Sequence, residues 1–217
     1  MKASPIAVGL LALLFGAGAL AQASGYESRT EALKGLTAPE AERRAEAVIW
    51  IANNGQPADE AALRKRLSDD NPVVRRLAEE GVWALWGHSG DDRIDALMAQ
   101  GADQLEGGQL NEAIATYSEV IKRRPAFAEG WNKRATALFL AGDFRKSLAD
   151  CDQVIKRNPH HFGALSGYGQ IYFQLEQYEK AIRYWQRALE ANPNMTGLED
   201  NIAIARKLLE MQRRNMV

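Results

Sequence analysis

Three histidines, one cysteine and many carboxylates are the side chains of this 217-residue chain that could do covalent or metal chemistry, and their spacing assembles no known constellation. His160 and His161 are adjacent and His88 lies far upstream, whereas two imidazoles that share a zinc ion on one helix face stand four residues apart. Gly163-Ala-Leu-Ser-Gly places Ser166 one position too late for a Gly-x-Ser-x-Gly elbow, and no Gly-x-x-x-x-Gly-Lys loop occurs to cradle phosphates. Cys151 is the only cysteine, so an internal disulfide is impossible. The carboxylates read as solvated helix surfaces and turns, and His161 reads as a packing residue at a junction rather than as a general base. The expectation is therefore no enzyme, with no catalytic residue, no cofactor and no metal.

The elements that would hold such residues repeat. Pro125, Pro159 and Pro193 stand thirty-four residues apart, with small residues in phase at Gly101, Ala135 and Gly169 and again at Ala113, Ser147 and Ala181. This pattern resembles the tetratricopeptide repeat (TPR) family, which implies an all-α fold, an α-solenoid of antiparallel helix pairs presenting a concave surface. The units run 94–127, 128–161 and 162–195. Their first helices carry Leu97, Trp131 and Leu165, and their second helices carry Tyr117, Cys151 and Trp185, as core positions. The large residues should fill the space opened by the small ones, where two helices approach closely. Leu198, Ile202, Ala205 and Leu209 follow at i, i+4, i+7 and i+11, the stripe of a helix over 196–217 that caps the open end of the stack.

A second repeat precedes the first. Pro39 to Trp50 and Pro72 to Trp83 coincide thirty-three residues apart at Pro39/Pro72, Arg43/Arg76, Ala45/Ala78, Glu46/Glu79 and Trp50/Trp83. Each proline suits the first turn of a helix, where its missing N–H loses no partner, and shorter helices should precede at 31–36 and 58–67. The stretch from Leu67 to Glu80 resembles a HEAT repeat, so residues 24–90 are read as a HEAT-like segment. Asp69, Asp70, Arg75 and Arg76 then form a solvated turn and an inter-repeat ion pair.

The TPR resemblance also implies where a ligand would lie. The groove is lined by the first helices, here at Asp95, Met98, Ala102 and Leu105, at Glu129, Asn132, Thr136 and Phe139, and at Gly163, Ser166, Gln170 and Phe173. Asn132, Lys133, Thr136, Ser166 and Gln170 could hydrogen-bond a peptide backbone, while Phe139 and Phe173 offer apolar contacts. TPR co-chaperones that grip acidic chaperone tails use a clamp of basic and amide side chains. The clamp positions here hold Met98, Ala102, Lys133, Gly163 and Gly167, so one cation remains and that function is rejected. The wording of residues 128–175 is most similar to exported bacterial TPR proteins. The expected function is a non-catalytic scaffold or adaptor that binds a protein or peptide partner. The alternative is a client-presenting assembly factor similar to the TPR modules of cytochrome c maturation, and the remote alternative is an enzyme.

Composition and the N-terminus bound the setting. The 27 basic and 28 acidic side chains leave a net charge of −1, which argues against nucleic acid as a partner. Met1 and Lys2 precede an apolar run from Ile6 to Leu20 that ends in Ala21-Gln-Ala23, the pattern of a cleaved signal peptide over 1–23. The run is shorter than the ~20 residues needed to span a bilayer, so no membrane span is expected after cleavage. The expected location is the periplasm. Intact-mass measurement of periplasmic material should find a chain beginning at Ser24; a membrane-bound species that retains Met1 would overturn the reading.

Overall fold

The structure is a computed structural model, described over residues 25–215; the signal-peptide expectation for 1–23 and the last two residues lie outside that range. Eleven α-helices run α1 (Arg29–Gly35), α2 (Ala41–Asn54), α3 (Glu60–Arg64), α4 (Pro72–Gly87), α5 (Asp92–Glu106), α6 (Leu110–Arg123), α7 (Ala128–Leu140), α8 (Phe144–Arg157), α9 (Phe162–Gln174), α10 (Tyr178–Ala191) and α11 (Leu198–Arg214). Two 3-10 turns, Pro57–Asp59 and Lys65–Ser68, flank α3, and no strand occurs among the described residues. The helices pair as α5/α6, α7/α8 and α9/α10. Each pair packs on the next through its second helix, and α11 closes on α10. The result is an all-α solenoid.

Local chemistry sets the ends of these helices. Asn71, Asp91 and Asp143 accept hydrogen bonds from backbone N–H groups in the first turns of α4, α5 and α8, each satisfying donors that a helix start leaves orphaned. Each turn between paired helices passes through one left-handed residue: Gly108 at φ 73°, Gly142 at φ 78° and Glu176 at φ 56°. The first two pairs use the residue that adopts this region without steric cost. The third places a glutamate there, which costs about 1–2 kcal/mol.

The small-for-large exchange between paired helices is geometrically strict. A Cβ added at Gly101 would stand 2.5 Å from the Tyr117 ring, and one at Gly169 would stand 2.3 Å from the Trp185 ring. Both aromatic residues are fully buried. In the middle pair the partner is the smaller Cys151, and Ala135 fits beside it in the same cluster. Leu198, Ile202 and Ala205 of α11 complete the core around Trp185.

Trp131 departs from the core position expected for it. Its ring is half-buried between the guanidinium groups of Arg134 and Arg157, 5.2 and 4.9 Å from the ring centre, and its indole N–H donates to the Pro125 carbonyl at 3.0 Å. It pins a junction loop instead of filling an inter-helix space.

The N-terminal helices form a block with its own core, in which Val48, Ile51, Leu63, Val74, Ala78 and Val82 are fully buried. Pro72 opens α4 as expected, but Pro39 stands outside α2, which starts at Ala41 after Glu40. The segment 58–67 is not one helix but the five residues of α3 between the 3-10 turns. An ion pair does link the two helix pairs, through Arg44 rather than Arg75 or Arg76. The buried Arg44 guanidinium donates to both Asp69 oxygens at 2.9 and 2.7 Å and to the carbonyls of Ala38 and Pro39. Burial alone would push the Asp69 carboxyl up, but Arg44 and the Asn71 N–H hold it down at about 2.

Two substitutions test this account by thermal unfolding. Gly169→Ala forces the Trp185 ring to move and should cost about 1–3 kcal/mol. Glu176→Gly relieves the left-handed strain and should stabilise by about 0.5–1 kcal/mol after the added unfolded-state entropy is subtracted. A lower melting point for Glu176→Gly would show that the turn is not strained.

Candidate functional site

The first helices of the three pairs, α5, α7 and α9, carry the residues read from sequence as groove-lining. Helical spacing puts Gly163, Ser166, Gly167 and Gln170 on one face of α9. The direction of that face is fixed at its start: a Cβ at Gly163 would point at the Trp83 ring of α4, 2.4 Å away. Ser166 and Gln170 continue the same face, half-buried, and their side chains make no hydrogen bond among the described residues. On α7, Thr136 is half-buried and its hydroxyl donates to the Asn132 carbonyl one turn earlier at 3.1 Å.

Asn132 and Lys133 are drawn into a different task. Asn132 is buried and its amide donates to both oxygens of Glu129 at 3.2 and 3.1 Å. The donors that sequence reasoning assigned to a ligand are therefore spent within the chain. The Lys133 ammonium lies 3.6 Å from the same carboxylate. Phe139 packs against Phe144 of α8, and Phe173 against Trp185 and Tyr178 of α10, so both rings are partly committed to their own helix pair.

Glu129 is the hub. It is buried, and its Oε2 stands 3.0 Å from Nε2 of the fully buried His161. The other ring nitrogen, Nδ1, accepts the Ala164 N–H at 3.1 Å and so caps α9. That acceptor role assigns the hydrogen to Nε2, which donates to Glu129. Both nitrogens are occupied, so His161 has no free lone pair with which to take a proton from a substrate. Burial alone would push the Glu129 carboxyl up, but the His161 hydrogen bond, the Lys133 charge and the Asn132 amide together hold it below the ordinary carboxylate range. Cys151 is equally removed from chemistry, since burial pushes its thiol up to about 12. Among the described residues no group of three His, Cys, Asp or Glu side chains could hold a metal ion, and no helix is long and apolar enough to cross a membrane.

The feature that sequence reasoning missed is the α4 contact. Trp86 stacks on His161 with ring centres 4.1 Å apart and meets Phe162 at 4.7 Å. Trp83 meets Phe162 edge-on at 5.0 Å. Phe162, Ala191 and Met195 thereby join the core of the N-terminal block, and Asn194 Nδ2 donates to the Leu67 carbonyl at 2.7 Å. The one sequence signal was Gly163, a residue without a side chain at the second position of a helix.

The tetratricopeptide repeat family pattern matches residues 98–152 and 133–196. A TPR repeat-containing protein of Rhizobium etli is 35% identical over 154 residues, covering 70% of this chain and 75% of that protein. The chain belongs to the tetratricopeptide repeat family. A Hsp70-Hsp90 organizing protein of Triticum aestivum is 26% identical over 168 residues, 74% of this TPR chain, which spans only 29% of that protein's length. Among solved structures, the first TPR of Spaghetti (RPAP3) bound to an HSP90 peptide aligns with TM-score 0.53 at 24% identity, over 55% of this chain and 94% of that one. The MamA protein aligns with TM-score 0.52 at 15% identity, over 72% and 86%. These two likenesses concern the fold alone.

The buried hub carries a pH signature. Because the folded chain holds Glu129 below its unfolded value of about 4.3, the ionised carboxylate contributes stability above the ordinary carboxylate range, and that stability is lost as pH falls through the lower folded value. Glu129→Gln should melt lower at pH 7 and show a flatter decline between about pH 5 and pH 2. Glu129→Ala, which strands His161 and Lys133, should cost about 3–5 kcal/mol. Parallel acid limbs for the wild-type and Glu129→Gln chains would remove Glu129 from this role.

Proposed function

We propose that this TPR protein is a non-catalytic adaptor that holds a segment of a partner protein against the first helices of its second and third units. The observation that carries the reading is the α9 face beyond Gly163, where Ser166 and Gln170 present hydrogen-bonding groups that nothing among the described residues uses. Unpaired, half-buried polar groups on a concave surface suit a ligand that brings its own donors and acceptors. Thr136 and the partly exposed edges of Phe139 and Phe173 border the same surface. Protein-binding by the organizing relatives is consistent with this use of the fold.

Acidic-tail recognition of the kind found in the HSP90-peptide complex is not part of the proposal. Lys133, the one cation at a clamp position, is paired with Glu129, and Gly163 lies under Trp83, so an incoming carboxylate meets no free charge. The site of action we propose is the periplasm, after removal of 1–23, with residues 24–90 as a HEAT-like block. A second reading, a client-presenting assembly factor similar to the TPR modules of cytochrome c maturation, is favoured by the seating of a helix, α4, beside this face.

A photo-crosslinking residue at Gln170 in the producing cell should trap a partner identifiable by mass spectrometry, while the same residue at the exposed Glu179 of α10 should not. Against that partner, Ser166→Ala with Gln170→Ala should weaken capture by about 1–3 kcal/mol, the worth of lost buried hydrogen bonds, with the melting point nearly unchanged. Undiminished capture would place the binding surface elsewhere.

A further inference from the structure

The groove is not empty along its whole length, and what fills its start has the character of a ligand. The five side chains by which α4 packs its own block most tightly are Val74, Leu77, Ala78, Val82 and Leu85. Trp83 and Trp86 instead reach to His161 and Phe162, at the junction of the second and third units. α4 also lies against α7, the groove helix of the second unit. An amphipathic helix laid across groove helices and anchored by two aromatic side chains is a recurrent mode of helix recognition.

The fit of α4 on this seat is incomplete. The indole N–H of Trp86 is buried with no hydrogen-bond partner. At the far end of the contact Glu79 of α4 faces the fully buried Asn192, whose side chain only partly offsets the rise that burial imposes on the Glu79 carboxyl. Each such group costs free energy in the closed arrangement. The connection from α4 to α5 runs through Gly87 and Gly90, neither with any atom near the place of a Cβ, while the buried Ser89 between them ties the joint to Asp91 and Asp95.

We propose that the His161–Phe162–Gly163 seat is a helix-binding site whose resident occupant is α4, and that the partner it takes is an amphipathic helix bearing two aromatic side chains three residues apart, seated in place of Trp83 and Trp86. This rests on the groove reading above and specifies the partner. The flat glycine at 163 admits an aromatic ring edge that any side chain there would exclude. His161, held by Glu129 and by the α9 backbone, offers a fixed face for a second ring to stack on. A displacing helix whose stacking ring carries no N–H, such as that of Phe, would avoid the unpartnered indole N–H of Trp86.

The probe is a fluorescein-labelled peptide of residues 72–87, followed by anisotropy against full-length protein. The Trp83→Ala/Trp86→Ala chain, whose seat is vacated, should bind it at least ten-fold tighter than the wild type does. Adding Gly163→Leu to that chain should abolish the binding, as should replacing both tryptophans in the peptide. Equal binding to the vacated and wild-type chains, or none to either, would overturn the proposal. Should the double variant unfold, hydrogen exchange on the wild type decides instead: excess peptide should accelerate amide exchange in residues 25–87 and leave 92–214 protected, and unchanged exchange in 25–87 would overturn it. If the peptide fails while partner capture still depends on Ser166 and Gln170, the helix assignment falls and the groove reading stands. If capture ignores those residues as well, the groove reading falls too.

Discussion

A carboxylate without access to water, Glu129 at the start of α7, receives the His161 N–H, the Asn132 amide and the nearby Lys133 charge. The imidazole it orients caps α9 with its other nitrogen and offers its face to Trp86 of α4. Three elements distant in sequence are thereby fixed to one point: the second unit, the start of the third, and the last helix of the N-terminal block. An ionised group so deeply buried is tolerable only while every partner stays in place. The direction of the α9 face, and with it the positions of Ser166 and Gln170, depends on that arrangement. The same geometry engages both ring nitrogens of His161 in positioning.

The repeats themselves rest on a simpler constraint, the volume between paired helices. Tyr117 and Trp185 demand glycine opposite them, and the smaller Cys151 admits alanine. The middle pair is the smallest of the three, and Tyr168 and Ile171 of α9 share its cluster. The left-handed turn residue follows the same logic less completely, with two glycines and one strained glutamate.

The N-terminal block changes what the solenoid can present. Joined by its last helix to the first unit, it packs chiefly against the third, through Phe162, Ala191, Met195 and the Asn194 hydrogen bond to Leu67. With α4 seated there, the uncovered face of α9 starts beyond Gly163. On that face Ser166 and Gln170 are uncharged, and Lys133 of α7 is paired with Glu129.

Periodicity alone determined the helix pairs and the small-to-large contacts, because each is a local or nearest-neighbour relation that recurs every thirty-four residues and is written in residue size. Pro72 announced α4 for the same reason, its ring being preset for a first turn. Pro39 did not announce α2, since a proline is equally content just outside a helix. The sequence placed Asn132, Thr136, Ser166 and Gln170 on first helices by spacing, but could not tell which of them had free donors. That was decided by Glu129, a charge whose burial draws in Asn132 and Lys133. Trp131 kept its repeat position but lost its core role to two arginines that cover it. The seating of Trp83 and Trp86 on His161 and Phe162 joins residues nearly eighty apart with no periodic relation. Only the folding of one repeat block onto the other, driven by the apolar faces each leaves uncovered, could bring them together.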